Sequence, residues 1–139
     1  LKKYHSLMQD YPNIDVHISA TVSLLNIYYA DEIWDFLTRE GFRCDFNILH
    51  QPHYINARIA PNEVKKSITK KLESFQPTHN QSDWVRQRSF ITNFLNLDFD
   101  NAQKHWQEFW HFTTAYDELR KESYAETFPE SYKILADYR

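Results

Sequence analysis

The sequence predicts an α/β chain in which a strand, a helix and a second strand are followed by a mainly α-helical tail. Three observations carry this. Apolar and β-branched residues alternate at period two over residues 14–22 and again over 44–49; the period becomes helical between them, from Tyr29; and beyond about residue 60 only helical periods recur. A βαβ crossover makes a parallel pair, and parallel sheets are found with several strands and both faces covered. The pair is therefore expected to belong to a wider sheet. Leu1, standing where an initiator Met would, fits the same expectation of a piece of something larger.

In the first strand Ile14, Val16, Ile18, Ala20 and Val22 alternate, which predicts extended chain over 15–22. Tyr29, Ile33, Phe36 and Leu37 then fall at i, i+4, i+7 and i+8 and gather on one helical stripe. Asp31 and Glu32 occupy the first turn, where the positive end of the helix dipole favours carboxylates. Gly41, the only glycine of the chain, is expected to end this helix in the left-handed conformation that a Cβ would strain. The second strand runs over 44–49, and Pro52 closes it for want of a ladder donor.

Pro61 suits the first turn of a helix whose Val64, Ile68, Leu72 and Phe75 share a face. Lys65, Lys66, Lys70 and Lys71 lie opposite and read as a solvated surface rather than a phosphate site. Residues 76–82, polar and holding Pro77, form a loop that divides residues 1–76, the end of the sheet, from 77–139, a helical extension. Trp84, Arg88, Ile91 and Leu95 mark one helix of that extension. Ala102, Trp106, Phe109, Thr113 and Tyr116 mark a longer one ending near Lys121, with Asp100 as its expected cap. Ser123 to Glu126 and Thr127 to Glu130 both match the capping box, and Pro129 strengthens the second start. Trp84, Trp106, Phe109, Trp110 and Phe112 read as core.

Composition narrows the function classes. With 17% aromatic and 25% charged residues in 139, the chain has enough apolar bulk for one core and too little charge bias for disorder. Sixteen basic against nineteen acidic residues leave a net charge of −3, so nothing favours nucleic acid. Cys44 is the sole cysteine, which excludes an internal disulfide and any multi-cysteine metal site built from this chain alone. A reducing, cytoplasmic setting is the expectation. No apolar run approaches the roughly 20 residues of a membrane span.

A sheet with helical crossovers presents ligand chemistry at the carboxyl ends of its strands. Ser23 and Asn26 end the first strand; either they grip a bound molecule, or Asn26 caps the next turn and Ser23 closes the strand. Asn47 and His50 stand at the corresponding end of the second strand. His50 and His53 would suit a metal only on a helix, which Pro52 opposes, so no metal ligand is assigned. Asp117 is placed for ordinary ion pairs with Arg120 or Lys121, and no nucleophile, glycine loop or acid–base pair marks a catalytic residue.

Taken together, Thr21-Val22-Ser23-Leu24-Leu25-Asn26-Ile27-Tyr28-Tyr29, Asn47-Ile48-Leu49-His50-Gln51-Pro52, Ile59-Ala60-Pro61-Asn62-Glu63-Val64-Lys65, Asp117-Glu118-Leu119-Arg120 and Phe128-Pro129-Glu130 resemble the late barrel and tail of twitch-domain-containing radical S-adenosylmethionine enzymes. The resemblance implies a partial α/β barrel whose C-terminal βαβ portion is this chain. It also implies a four-iron four-sulfur cluster, held by a C-x-x-x-C-x-x-C loop, that cleaves S-adenosylmethionine and starts radical chemistry on a peptide or small-molecule substrate. Cys44 alone cannot supply that loop, so the missing N-terminal barrel portion would. Carried across, the resemblance places Ser23 and Asn26 nearest S-adenosylmethionine and makes Asn47 and His50 substrate-side or cofactor contacts. Two other classes stay open: a stand-alone α+β or helical interaction module, and a metal-free small-molecule binder.

Overall fold

The computed structural model describes residues 1–139. Helix α1 (Lys2–Asp10) leads into strand β1 (His17–Val22), and a 3-10 turn (Ile27–Tyr29) with helix α2 (Ala30–Arg39) carries the chain to strand β2 (Arg43–Ile48). Two further 3-10 turns (His53–Ile55 and Ala57–Ile59) precede five helices: α3 (Asn62–Ser74), α4 (Gln81–Leu95), α5 (Ala102–Arg120), α6 (Tyr124–Thr127) and α7 (Pro129–Ala136). The strands are parallel, with His17 opposite Arg43 and Val22 opposite Ile48, and they make up the whole sheet. The chain is thus mixed, with one βαβ unit and a helical tail, as the change of period requires.

The sheet is covered on one face only. Cys44, Phe46, Ile48 and Val22 are buried there, with Ile18 and Ala20 half-buried, and Trp34 of α2 packs its ring 6.2 Å from that of Phe46. Alternation puts His17, Ser19, Thr21, Arg43, Asp45 and Asn47 on the other face, where all but the half-buried Asp45 are exposed. The two edges differ as well. Val22 C=O accepts from Leu49 N–H (2.8 Å), so the even-numbered residues of β1 face β2 and the amides of His17, Ser19 and Thr21 lie along an edge with no neighbouring strand. The far edge of β2 is sealed. Gln87 of α4, itself buried, accepts from Phe46 N–H (3.1 Å) and donates to Asp45 Oδ1 (2.6 Å).

One contiguous apolar core joins the strands to every helix from α2 to α5 and to α6 and α7, so residues before and after the loop at 76–82 pack together. Val64, Ile68 and Leu72 line α3 on the core side, and Trp84, Trp106, Phe109 and Trp110 are buried as their spacing predicts. Phe112 is half-buried and stacks on Tyr54, with centroids 4.2 Å apart.

Several expectations are corrected. The inner stripe of α2 is Ala30, Trp34, Leu37 and Thr38, while Phe36 is exposed and Ile33 and Tyr29 are half-buried. The largest apolar side chain, Trp34, sets the rotation of the helix by wedging between Phe46 and Trp84. The lysines of α3 are not a uniform solvated face. Lys65 is buried, and Lys71 bonds Asp31, Glu32 (3.2 Å) and Tyr28 C=O (2.9 Å), anchoring α3 to the start of α2. Asp100 does not cap α5; Asn101, left-handed at φ +55, precedes it without a side-chain cap. Ser123 caps α6 through Glu126 N–H, whereas α7 starts on Pro129 behind Phe128 with no side-chain cap.

Gly41 behaves as expected: at φ +83 it closes α2 with Gly41 N–H on Thr38 C=O and Phe42 N–H on Leu37 C=O, both at 3.0 Å. Helix α1 has no counterpart in the sequence reading. It buries no residue and is held by His5, whose Nε2 donates to Glu40 C=O (2.8 Å) and whose ring stacks on Phe42.

Candidate functional site

The carboxyl rim of the sheet is built by two loops that tie to each other. Leaving β1, the chain folds back so that Asn26 Oδ1 accepts from Ser23 N–H (2.8 Å), Ser23 Oγ accepts from Leu25 N–H (3.3 Å), and Asn26 Nδ2 donates to Thr21 C=O (3.1 Å). Leu24 N–H then reaches across to Ile55 C=O (2.8 Å) in the loop after β2. That loop is organised from within by fully buried Asn56, which donates to His50 C=O (3.2 Å) and accepts from Arg58 N–H (3.0 Å).

Above this rim the end of α5 and the turn into α6 close a cleft of about 400 Å³. Leu25, Ile55, Tyr124 and Phe128 give it an apolar floor, and Tyr54 and Tyr116 form one wall. Tyr124 fastens the tail to the rim. Its hydroxyl donates to Leu25 C=O (3.3 Å) and lies 2.9 Å from Ser131 Oγ, while its N–H donates to Asp117 Oδ2 (2.9 Å). Burial pushes the Tyr124 phenol up to about 12, so it stays protonated as a donor at any physiological pH. Ser131 N–H in turn donates to the Tyr29 hydroxyl (3.3 Å).

The expected ion pair between Asp117 and Arg120 or Lys121 is absent: Asp117 caps the turn at Tyr124, and Arg120 lays its guanidinium 5.5 Å over the Tyr116 ring. Neither Arg120 nor Glu122, both in the cleft lining, has an ion-pair partner. Tyr54 titrates above its usual range, chiefly through its interaction with the neighbouring Tyr116 phenol and then through burial.

The four residues named from sequence do not meet in one place. Ser23 and Asn26 shape the turn under the cleft, with their hydrogen bonds made inside it. Asn47 stands on the open polar face, opposite Thr21 in register, and donates to Ser19 Oγ (2.9 Å). His50 is exposed and turns its ring edge to Phe94, 5.1 Å away. None of the four lines the cleft. Of the residues that do, Tyr116 reads from sequence as a helix position, Arg120 as an ion-pair partner and Tyr124 as part of a capping box, while no motif marks Tyr54 or Glu122, since sequence spacing does not show a tail folding back over a rim.

An iron–sulfur cluster does not fit the residues of this chain. Cys44 is buried on β2, its thiol is pushed up to about 11 by burial, and no three His, Cys, Asp or Glu side chains are grouped to hold a metal ion. No helix is long and apolar enough to cross a membrane. No family model, curated protein or solved structure matches the chain.

Proposed function

We propose that this chain is the carboxy-terminal part of a radical S-adenosylmethionine enzyme: the last two strands of a partial α/β barrel and the helical tail that closes its end. The observation that carries the reading is the one-sided, one-edged sheet. In a barrel of parallel strands, helices cover the outer face and the inner face lines the site; here α2 covers the apolar face and polar residues occupy the other. A partial barrel also has a last strand. Gln87 seals the outer edge of β2, whereas β1 keeps free the edge on which earlier strands would pair. A second support is convergence: the segments that carry the resemblance supply Leu25, Pro52, Asp117, Arg120 and Phe128 to one cleft at the strand carboxyl ends.

On this reading the cluster and the first strands belong to residues upstream of Leu1, and this chain does no radical chemistry alone. When bound, the cluster would supply one-electron cleavage of S-adenosylmethionine. This chain supplies the wall: Asn26 fixes the backbone of the rim through Ser23 and Thr21, and Asn47 with Ser19 offers polar contacts on the inner face. The test is anaerobic reconstitution of the natural protein with its upstream residues. The reading expects a C-x-x-x-C-x-x-C loop, an iron–sulfur absorption spectrum and reductant-dependent release of 5′-deoxyadenosine. An upstream sequence without that loop, or a reconstituted protein that leaves S-adenosylmethionine intact, overturns it. In that case the exposed Leu1, Tyr4, Leu7 and Tyr11 at α1 favour an interaction module instead.

A further inference from the structure

We infer that the cleft between the carboxyl rim and the α5–α6 turn binds a zwitterionic α-amino acid with a large apolar or aromatic side chain, free or as a small amino-acid-like molecule. The proposal rests on the barrel reading only in calling that molecule a substrate; the binding itself stands on the cleft. Its volume, about 400 Å³, lies in the range of small-molecule sites and suits an amino acid better than a cofactor-sized ligand. It opens at the carboxyl ends of parallel strands, where α/β sheets bind ligands.

The chemistry of the lining selects the ligand. Leu25, Ile55, Tyr124 and Phe128 offer an apolar bed for a side chain. The same lining holds one guanidinium and two carboxylates. Arg120 makes no ion pair and rests on the Tyr116 ring, which leaves its N–H groups free for a planar carboxylate. Glu122 makes no side-chain hydrogen bond or ion pair, and Asp117 commits only Oδ2, to Tyr124 N–H. Both acids sit beside the carboxyl end of α5, whose unpaired carbonyls add partial negative charge that favours an ammonium group. A simple anion would face two carboxylates, and a simple cation would meet Arg120. A molecule carrying both charges next to an apolar body satisfies all three.

The test is titration of the isotope-labelled 139-residue chain with L-phenylalanine, followed by NMR, beside N-acetyl-L-phenylalanine and L-phenylalaninamide. The expected result is saturable shifts at Tyr54, Tyr116 and Tyr124, with binding of each blocked analogue weakened by about tenfold or more, as loss of one charge-assisted hydrogen bond implies. Arg120→Gln should erase the preference for the acid over the amide, and Glu122→Gln the preference for the free amine over the acetylated form. Both side chains are exposed, so a preserved amide spectrum separates lost binding from lost fold. Equal affinity for all three compounds, or no saturable shift at the cleft, overturns the proposal. If the longer protein cleaves S-adenosylmethionine while this cleft stays empty, the amino-acid assignment fails and the barrel reading stands; the reverse result separates them the other way.

Discussion

Replacing Gln87 by Leu tests why the sheet stops at β2. Gln87 is buried, and its amide makes two contacts: Oε1 with Phe46 N–H at 3.1 Å and Nε2 with Asp45 Oδ1 at 2.6 Å. Leu fills similar space but leaves Phe46 N–H buried without an acceptor, which costs about 1 to 3 kcal/mol. Losing the contact to Asp45, which is half open to water, adds about 0.5 kcal/mol, and the added apolar burial returns a similar amount. The net expectation is about 2 kcal/mol of destabilisation. Urea unfolding followed by tryptophan fluorescence measures it, and hydrogen exchange at Phe46 reports the local effect. Gln87→Glu serves as a control: it keeps an acceptor for Phe46 N–H but sets a second carboxylate beside Asp45, so Phe46 stays protected while stability falls. A Gln87→Leu variant within about 0.5 kcal/mol of wild type, with Phe46 still slowly exchanging, would refute the idea that this side chain terminates the sheet.

Gly41→Ala should cost about 1 kcal/mol, because φ is +83 and no atom lies within 4 Å of the added Cβ, so the penalty is backbone strain alone; the midpoint of denaturation checks it. Lys71→Met should cost about 3 kcal/mol by leaving buried Asp31 without its cation, and Asp31→Asn in the same background should recover part of the loss. Stability should fall on the alkaline side. The folded-state pKa values of Cys44, Tyr124 and Lys71 are all raised: Cys44 and Tyr124 by burial, and Lys71 against its burial by Asp31 and Glu32. Their contribution is complete below the unfolded values and is lost as pH climbs through the folded ones. The thiol therefore acts between its ordinary 9.0 and about 11, and the phenol between 10.0 and about 12. Tyr124→Phe should flatten the upper part of that decline in a denaturation series across pH. Cys44 should also resist thiol reagents in the native state and react promptly in urea.

The parts legible in the sequence are those set by one element at a time. Alternation named Cys44, Phe46 and Ile48 as one face of a strand, spacing named Val64, Ile68 and Leu72, and the lone glycine marked the end of α2. Where two elements compete, periodicity was insufficient. It rotated the stripe of α2 because it counted Phe36 and passed over Trp34, and it left Lys71 in solvent because its acceptors at and just before the start of α2 lie about forty positions away in sequence. Helix α1 escaped notice for a related reason: it buries no side chain, so no core requirement stamps a pattern on it. Ser23 and Asn26 read from sequence either as ligand contacts or as strand end and helix cap; their hydrogen bonds are made within the turn itself, and Asn26 gives no side-chain cap to the 3-10 turn that follows. The cleft was not legible, since Tyr124 and Arg120 become neighbours of Leu25 only through the fold of the tail.

The central claim is that the sheet continues past the outer edge of β1, and amide hydrogen exchange at His17, Ser19 and Thr21 tests it most directly. Measured in this chain and in the longer protein that the barrel reading proposes, those three amides should exchange fast in the first and be protected in the second, while Phe46 is protected in both. Equal exchange at the three positions in both proteins would contradict the account.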